Sequence, residues 1–301
     1  MNSKNESNNL ENGLNVLSLF DGISCGRLAL ERTGIPVKRY VAYEIEESAI
    51  KISKHNYPEI EHCGNVFDAD FSEYKGFDLL IGGSPCTFWS VARRNREITS
   101  DGLGFQLFNQ YIRALNESKC QYFLYENNYS IHKDIKSEIT KALGVEPIMI
   151  NSALVSGQNR KRLYWTNIPN VNVPIDRNIL LKDIIESGNV DRDKSLCVTR
   201  RYAGFGGSQS YLCRRYFGKS MGQAVFEKNI EDIKRKWKEN PYFESNENNV
   251  RQMTVKECER LQTLPDNYTN VDEVTKQQRY EAIGNGWTVD VIVHILKNLK
   301  Q

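Results

Sequence analysis

The 301-residue chain is most informative at first through what it lacks. No apolar run approaches the roughly eighteen residues a membrane-spanning helix needs, so no such span is expected. The N-terminal stretch MNSKNESNNLENG has no basic start followed by an apolar segment, which excludes a secretory signal and predicts a loose polar tail over residues 1–13. The seven cysteines (Cys25, Cys63, Cys86, Cys120, Cys197, Cys213 and Cys258) are odd in number and include no Cys-x-x-Cys pair. They predict free thiols in a reducing cytoplasm, not a disulfide frame. There are only four histidines, His55, His62, His132 and His294, none at metal-ligand spacing from a cysteine, so no zinc site is expected. Neither charge sign is in excess: 40 Lys and Arg stand against 38 Asp and Glu, a formal net charge of +2. That total argues against a nucleic-acid partner only if the charge is evenly spread.

What is present is a rhythm. Short apolar runs at Val16–Phe20, Arg39–Tyr43, Phe77–Ile81, Tyr122–Tyr125, Glu146–Asn151 and Arg162–Thr166 predict strands. Helical periodicity fills the gaps near 26–33, 46–55, 105–117 and 133–143. Alternation of this kind predicts an α/β fold with a doubly wound, mostly parallel sheet. The rhythm changes near residue 190. Residues 192–226, rich in Gly, Tyr, Ser and Arg, predict a small irregular lobe, and the stripe Phe226, Ile230, Ile233, Trp237 predicts a helix after it. Residues 244–249 (ESNENN) read as an exposed connection. Thr254 and Glu257 have capping-box spacing for a helix to about Leu261, and a last helix is expected from about Trp287 to Leu299. The expected domains are 14–190 plus 250–301 as one body and 191–249 as a second.

Chemistry-bearing residues fall at strand ends. Val16–Phe20 runs into Asp21-Gly22-Ile23, a glycine turn that lets backbone approach a nucleotide-like ligand, and Glu44 ends the next strand where a carboxylate can take ribose hydroxyls. The spacing is Phe-x-Gly-x-x-x-Gly, which disfavours a pyrophosphate-binding dinucleotide site. The same turn also suits a structural strand-to-helix corner with no ligand. Gly82-Gly83-Ser84-Pro85-Cys86 puts a cysteine on a constrained turn after a strand. Arg93, Arg94 and Arg96 follow it, and guanidinium charge nearby favours a thiolate nucleophile. Glu126 offers a carboxyl for proton transfer. Arg160 and Arg162, two apart on an expected strand, share a face. Residues 192–226 hold Arg192, Lys194, Arg200, Arg201, Arg214, Arg215 and Lys219 against Asp193 alone, interleaved with aromatics. That is a patch suited to phosphate contact, or else an ordinary solvated basic loop.

In order, the segments LSLFDGI, YEIE, GGSPC, YENN, QNRKR, RQMTVKECERLQTLPD and GNGW resemble the motifs of the DNA (cytosine-5)-methyltransferases. FDGI, GGSPC and the Trp of GNGW look closest to the vertebrate de novo type. The resemblance covers roughly 14–168 and 250–299 and implies an S-adenosylmethionine-dependent, Rossmann-like fold, with 191–249 as the target-recognition region. It implies Cys86 as the nucleophile on C6 of a flipped cytosine, Glu126 as the acid at N3, and Arg162 at O2 with Arg160 beside it. It also implies a cofactor site of Phe20, Asp21, Gly22, Ile23, Glu44, Ile45, Asn65, Val66, Pro85, Leu107, Asn285 and Trp287. S-adenosylmethionine would be converted there to S-adenosylhomocysteine. Double-stranded DNA is the implied partner, touched by Ser90, Arg93, Arg94, Arg96, Arg200, Arg201, Arg214, Arg215 and Lys219. Three positions depart from the family: Asn65 where an acid is common, Asn128 for Val, and Ser24-Cys25 in the first turn. A chain that is little more than a catalytic core points to a bacterial or phage enzyme of the cytoplasm. Cytosine methylation of RNA and a catalytically silent DNA-binding role are the alternatives.

Overall fold

The computed structural model describes residues 12–89, 96–205, 207–219, 222–242 and 249–300. It divides into two compact units. The first comprises residues 1–150, 161–174 and 291–301; the second comprises 151–160 and 175–290.

The first unit is a seven-stranded sheet in the order β3-β2-β1-β4-β5-β7-β6. Its strands are β1 (Leu14–Leu19), β2 (Val37–Tyr43), β3 (Glu61–His62), β4 (Leu79–Gly82), β5 (Tyr122–Asn128), β6 (Ile148–Asn151) and β7 (Lys161–Thr166). β1 pairs in parallel with both β2 and β4, β2 with β3, and β4 with β5; only the β5–β7 pairing is antiparallel among the pairings described. The central strands are buried along both faces. This is why Leu79-Leu80-Ile81 reads as a continuous rather than an alternating apolar run, and why Val16-Leu17-Ser18-Leu19 is broken only by a buried serine. The fold is thus the mostly parallel α/β sheet that the strand–helix rhythm predicts.

Helices α1 (Cys25–Thr33), α2 (Glu47–Asn56), α3 (Leu103–Ser118) and α4 (Lys133–Leu143) connect these strands. α3 buries Phe108, Tyr111, Ala114 and Ser118, spaced by three and four so that one stripe faces inward. Tyr125 of β5 lies at the centre of that contact, its ring centroid 5.1 Å from Phe108, 4.9 Å from Tyr111 and 5.8 Å from Trp165. Each such ring contributes about 1.5–3 kcal/mol through removal from water alone. The approach at the sheet centre is close. A Cβ on Gly82 would stand 2.7 Å from the Leu19 carbonyl oxygen, a backbone atom that cannot turn away. Gly82→Ala is therefore expected to lower stability by about 1–3 kcal/mol in urea unfolding; unchanged stability would mean that β1 and β4 can part at no cost.

The second unit contains more regular structure than its composition suggests. α5 (Gln209–Lys219) occupies part of the stretch expected to be irregular, burying Leu212, Cys213 and Tyr216. Phe226 is not on the following helix. It ends β8 (Ala224–Phe226), which pairs antiparallel with β9 (Val250–Gln252), while α6 (Ile230–Glu239) starts four residues later at an Asn229 cap. The helical stripe was legible only from Ile230 on, because a buried Phe is compatible with either period. Thr254 and Glu257 cap α7 (Val255–Leu261) reciprocally. α8 (Lys276–Asn285) has its own capping box at Thr275 and Gln278, the signal by which it could have been anticipated. The last helix, α9 (Val289–Leu296), begins two residues later than expected. Of the exposed connection expected at 244–249, residues 244–248 lie outside the described residues and Asn249 is buried.

Candidate active site

In a sheet of this order the strand connections diverge between β1 and β4, and ligands bind beyond the carboxyl ends of the strands there. β1 ends at Leu19 and the chain turns through Phe20 and Gly22 with φ of 58° and 61°. At Gly22 a side chain would meet nothing within 4 Å, so its presence reflects the left-handed backbone and the space left open, not crowding. The Gly22 N–H donates to Glu44 Oε2 (2.9 Å), and Glu44 Oε1 accepts from the N–H groups of Ile45 (2.7 Å) and Glu46 (2.8 Å). Burial pushes the Glu44 carboxyl above its ordinary range, opposed by these three donors. Beside it Ile45 is 72% exposed. Asp21, assigned from the resemblance to the methionine end of a cofactor, commits both carboxylate oxygens elsewhere. Oδ1 accepts from Ser18 Oγ (2.6 Å) and Tyr40 Oη (2.7 Å), and Oδ2 from Ser24 Oγ (2.6 Å). Ile23 is buried and Phe20 half-buried. Asn65 caps a short 3-10 turn by accepting from the Phe67 N–H (3.1 Å), Val66 is buried, and Leu107 packs against the core from α3.

At the end of β4 the chain passes through Gly83, Ser84 and an exposed Pro85 into a 3-10 turn, Cys86–Phe88. The Cys86 side chain lies outside the described atoms, as do Ser90, Arg93 and Arg94. Ser84 is fixed by β5: its Oγ shares a hydrogen bond with Tyr125 Oη (2.7 Å), and Asn127 Nδ2 donates to the Ser84 carbonyl (3.2 Å). One face of β5 thereby places the turn that carries the thiol.

The other face of β5 carries Glu126 and Asn128. Because β7 runs antiparallel, its first residues lie against the last residues of β5: Asn128 opposes Arg162, and Glu126 opposes Tyr164. Arg162 then reaches Glu126 along the diagonal, Nε to Oε1 at 3.0 Å, with both side chains largely buried at 14% and 12% exposure. Asn128 is buried and accepts from Ser130 Oγ (2.7 Å), while Arg96 donates to the Ser130 carbonyl (2.7 Å). Two of the described thiols are poor rivals to Cys86. Burial pushes Cys120 up to about 11 and Cys213 up to about 12.

Arg160 is not the neighbour of Arg162 that the alternation rule implies. β7 begins at Lys161, so the rule does not extend to Arg160. Arg160 is buried in the second unit, where its guanidinium donates to the carbonyls of Val198 (2.8 Å), Gly284 (3.2 Å) and Gly286 (2.8 Å). Gln262 Nε2 also donates to the Gly286 carbonyl (3.0 Å) and, separately, to that of Ile283 (2.8 Å). These bonds hold the backbone around Asn285, which is exposed at the end of α8, and Trp287, which is half-buried. Arg160→Lys cannot keep this fork and is expected to lose about 2–3 kcal/mol of stability; an unchanged urea midpoint would show the carbonyls to be served otherwise.

The basic stretch of the second unit also sorts into two sets. Lys194 donates to the carbonyls of Ala153, Ser156 and Ile179, so its charge is structural. Arg192 lies over the Tyr216 ring and pairs with Asp191, and Arg200 pairs with Glu281. Arg214 and Arg215 both lie over Tyr211 on α5; Arg215 also donates to the Gly204 carbonyl, and Arg201 and Lys219 are exposed.

The family model for the C-5 cytosine-specific DNA methylase matches residues 14–173 and 186–301. The chain belongs to that family. An orphan methyltransferase of Bacillus phage SPR is 33% identical over 169 residues, covering 52% of this chain and 38% of that protein. A second, from Bacillus phage rho11s, is 35% identical over 167 residues, 50% of this chain and 32% of its own length. This chain therefore spans well under half the length of either phage relative. A type II methyltransferase of Lactococcus lactis subsp. cremoris is 26% identical over 310 residues, 94% of this chain and 77% of that one. Among solved structures, a methyltransferase of Entamoeba histolytica superposes with a TM-score of 0.72 at 16% identity, covering 95% of this chain and 98% of that one. The DNMT2 of Spodoptera frugiperda does so at 0.71 and 19%, covering 96% and 100%. Those likenesses establish the fold. Among the described residues no helix is long and apolar enough to cross a membrane, and no three His, Cys, Asp or Glu side chains gather as a metal site needs.

Proposed function

We propose that this chain transfers the methyl group of S-adenosylmethionine to C5 of a cytosine in double-stranded DNA. The observation that carries the reading is the Glu126–Arg162 ion pair at the carboxyl rim of the sheet, on the strand whose opposite face fixes the Ser84–Cys86 turn. A carboxyl, a guanidinium and a thiol on neighbouring strand ends suit attack on a hydrogen-bonding, electrophilic ring.

The cofactor edge fits an adenosyl group. Glu44 uses three backbone donors, yet a carboxylate has about four acceptor sites, so capacity for a ribose hydroxyl remains. Exposed Ile45 offers an apolar surface for the purine, and the open space at Gly22 admits a ligand close to backbone. Phe20, Ile23, Asn65, Val66, Pro85 and Leu107 stay assigned to this site; Asn285 and Trp287 are proposed as cofactor residues on the motif resemblance alone. When bound, the cofactor supplies an electrophilic methyl group on a sulfonium.

On this reading Cys86 attacks C6, because C5 of neutral cytosine is a poor nucleophile until the ring is activated. Glu126 delivers a proton at N3 as charge builds, and Arg162 holds both Glu126 and the O2 edge. After transfer a base takes the C5 proton, the Cys86–C6 bond breaks to release Cys86 as the thiolate, and the N3 proton returns to Glu126. The target base must leave the helix first, at about a few kcal/mol. Residues 191–249 are proposed as the target-recognition region, with Arg200, Arg201, Arg214, Arg215 and Lys219 as its phosphate contacts and Ser90, Arg93, Arg94 and Arg96 as those beside the thiol. FDGI, GGSPC and GNGW align this reading with the vertebrate de novo type in motif, and the phage and bacterial relatives align it with a cytoplasmic enzyme acting on nucleoid or phage DNA. The test is incorporation of label from S-adenosylmethionine into duplex DNA and, in parallel, transfer RNA. Label in DNA supports the reading; label in RNA alone, or in neither, overturns it.

A further inference from the structure

Behind the glycine turn lies a line of side chains that the proposed reaction does not use. His62 Nε2, on β3, is 3.1 Å from Ser53 Oγ on α2; Ser53 Oγ is 2.5 Å from Ser24 Oγ; and Ser24 Oγ is 2.6 Å from Asp21 Oδ2. Ser24 and Ser53 are fully buried. The direction of every bond follows from proton count. The Asp21 carboxylate only accepts, and it also receives the hydroxyls of Ser18 and Tyr40, so Ser24 gives its single proton to Asp21. Ser24 must then accept from Ser53. Ser53, its proton committed, must accept from His62, which places the imidazole hydrogen on Nε2. The other ring nitrogen, Nδ1, is buried with no hydrogen-bond partner, and in the Nε2–H tautomer it carries only a lone pair and leaves no N–H unsatisfied. Burial holds His62 below its ordinary value against the pull of Asp21 and with the push of Lys54, which keeps the ring neutral.

A second observation shows what this line does. Ser24 stands at the N-cap of α1, where a serine normally turns its hydroxyl onto the helix N–H groups. Here it makes no such bond, and its backbone is left-handed at φ 60°. The hydroxyl is instead given to Asp21, inside the turn from Phe20 to Ser24.

We infer that His62, Ser53 and Ser24 are positioning residues that act through Asp21 to hold the Phe20–Gly22 turn, and with it the Gly22–Glu44 bond, in the form that receives the adenosyl cofactor. This rests on the cofactor reading above and adds to it the residues that set that site's shape. None of the three touches the reacting atoms. Their effect falls on cofactor affinity and not on chemistry.

The experiment measures S-adenosylhomocysteine binding by calorimetry on the full chain, with the His62 tautomer read by nitrogen NMR. His62→Ala and Ser53→Ala are each expected to weaken binding about tenfold, the scale of one lost buried hydrogen bond, with kcat at saturating cofactor within about twofold of wild type. His62→Gln, whose Nε2 can donate from nearly the same place, is expected to restore affinity to within about threefold. The wild-type ring should be the Nε2–H tautomer. Unchanged affinity in both alanine variants, or an Nδ1–H ring, overturns the inference. If an alanine variant does not fold, His62→Gln and the tautomer still decide. If the wild type binds no S-adenosylhomocysteine, the cofactor reading fails separately, and the tautomer alone sustains or sinks the directed line.

Discussion

Replacing Cys86 by alanine is expected to abolish methyl transfer, by at least about a thousandfold, while duplex DNA and cofactor still bind. The size follows from the substrate. Without a covalent bond at C6 the ring has no route to a nucleophilic C5, and neither Glu126 nor a well-placed cofactor can supply one. The stability of the variant should be nearly unchanged, because the thiol sits on a turn whose fixed points are Ser84, Tyr125 and Asn127, all of them retained. The direct measurement uses DNA carrying 5-fluorocytosine, where the C5 fluorine cannot leave as a proton does and the adduct persists. Wild type should give a denaturation-resistant complex whose cross-linked peptide contains Cys86; Cys86→Ala should give none. A persistent complex through Cys63, an exposed thiol, would move the nucleophile to a different strand end.

The rim residues were legible because each acts within a few positions of its own strand. Val16–Leu19 and Leu79–Ile81 announce buried parallel strands by nearly continuous apolarity, and the glycines, Glu44, Pro85 and Glu126 follow at the ends of such runs. The destinations of long polar side chains were not legible. Arg160 bonds carbonyls 38, 124 and 126 residues away, and no local period reports that. Lys194 reads as surface charge until Ala153, Ser156 and Ile179 are brought around it. Asp21 is a cofactor residue on the motif resemblance, yet Tyr40 and Ser24 converge on it from β2 and the start of α1. α5 was hidden for a different reason. Its buried stripe of Leu212, Cys213 and Tyr216 is short and set among Ser210, Tyr211, Phe217 and Gly218, residues of modest or low helix propensity. The +2 net charge is likewise a sum over such roles, with Lys194, Arg192 and Arg215 bound internally while Arg201 and Lys219 are exposed.

The Glu126–Arg162 pair should behave as one unit for stability and as two for catalysis. Both side chains are largely buried, so removing either leaves the other without its ion-pair partner in a poorly solvated place, and Arg162→Met alone is expected to cost about 3 kcal/mol. Glu126→Gln keeps the shape and an acceptor oxygen and should cost less. The double substitution removes the stranded charge, so its loss should be smaller than the sum of the two single losses. Methyl transfer should show no such recovery. Glu126→Gln removes the proton donor and should slow single-turnover transfer by about 10²–10⁴-fold. Adding Arg162→Met then also removes the proposed contact to the ring and should slow transfer further. Urea unfolding and single-turnover transfer on the same four proteins separate these effects. Additive stability losses would mean the pair is not coupled in the folded chain. Transfer that recovers along with stability would mean that Glu126 and Arg162 hold the rim together without touching the reaction, and the acid would have to be sought elsewhere on it.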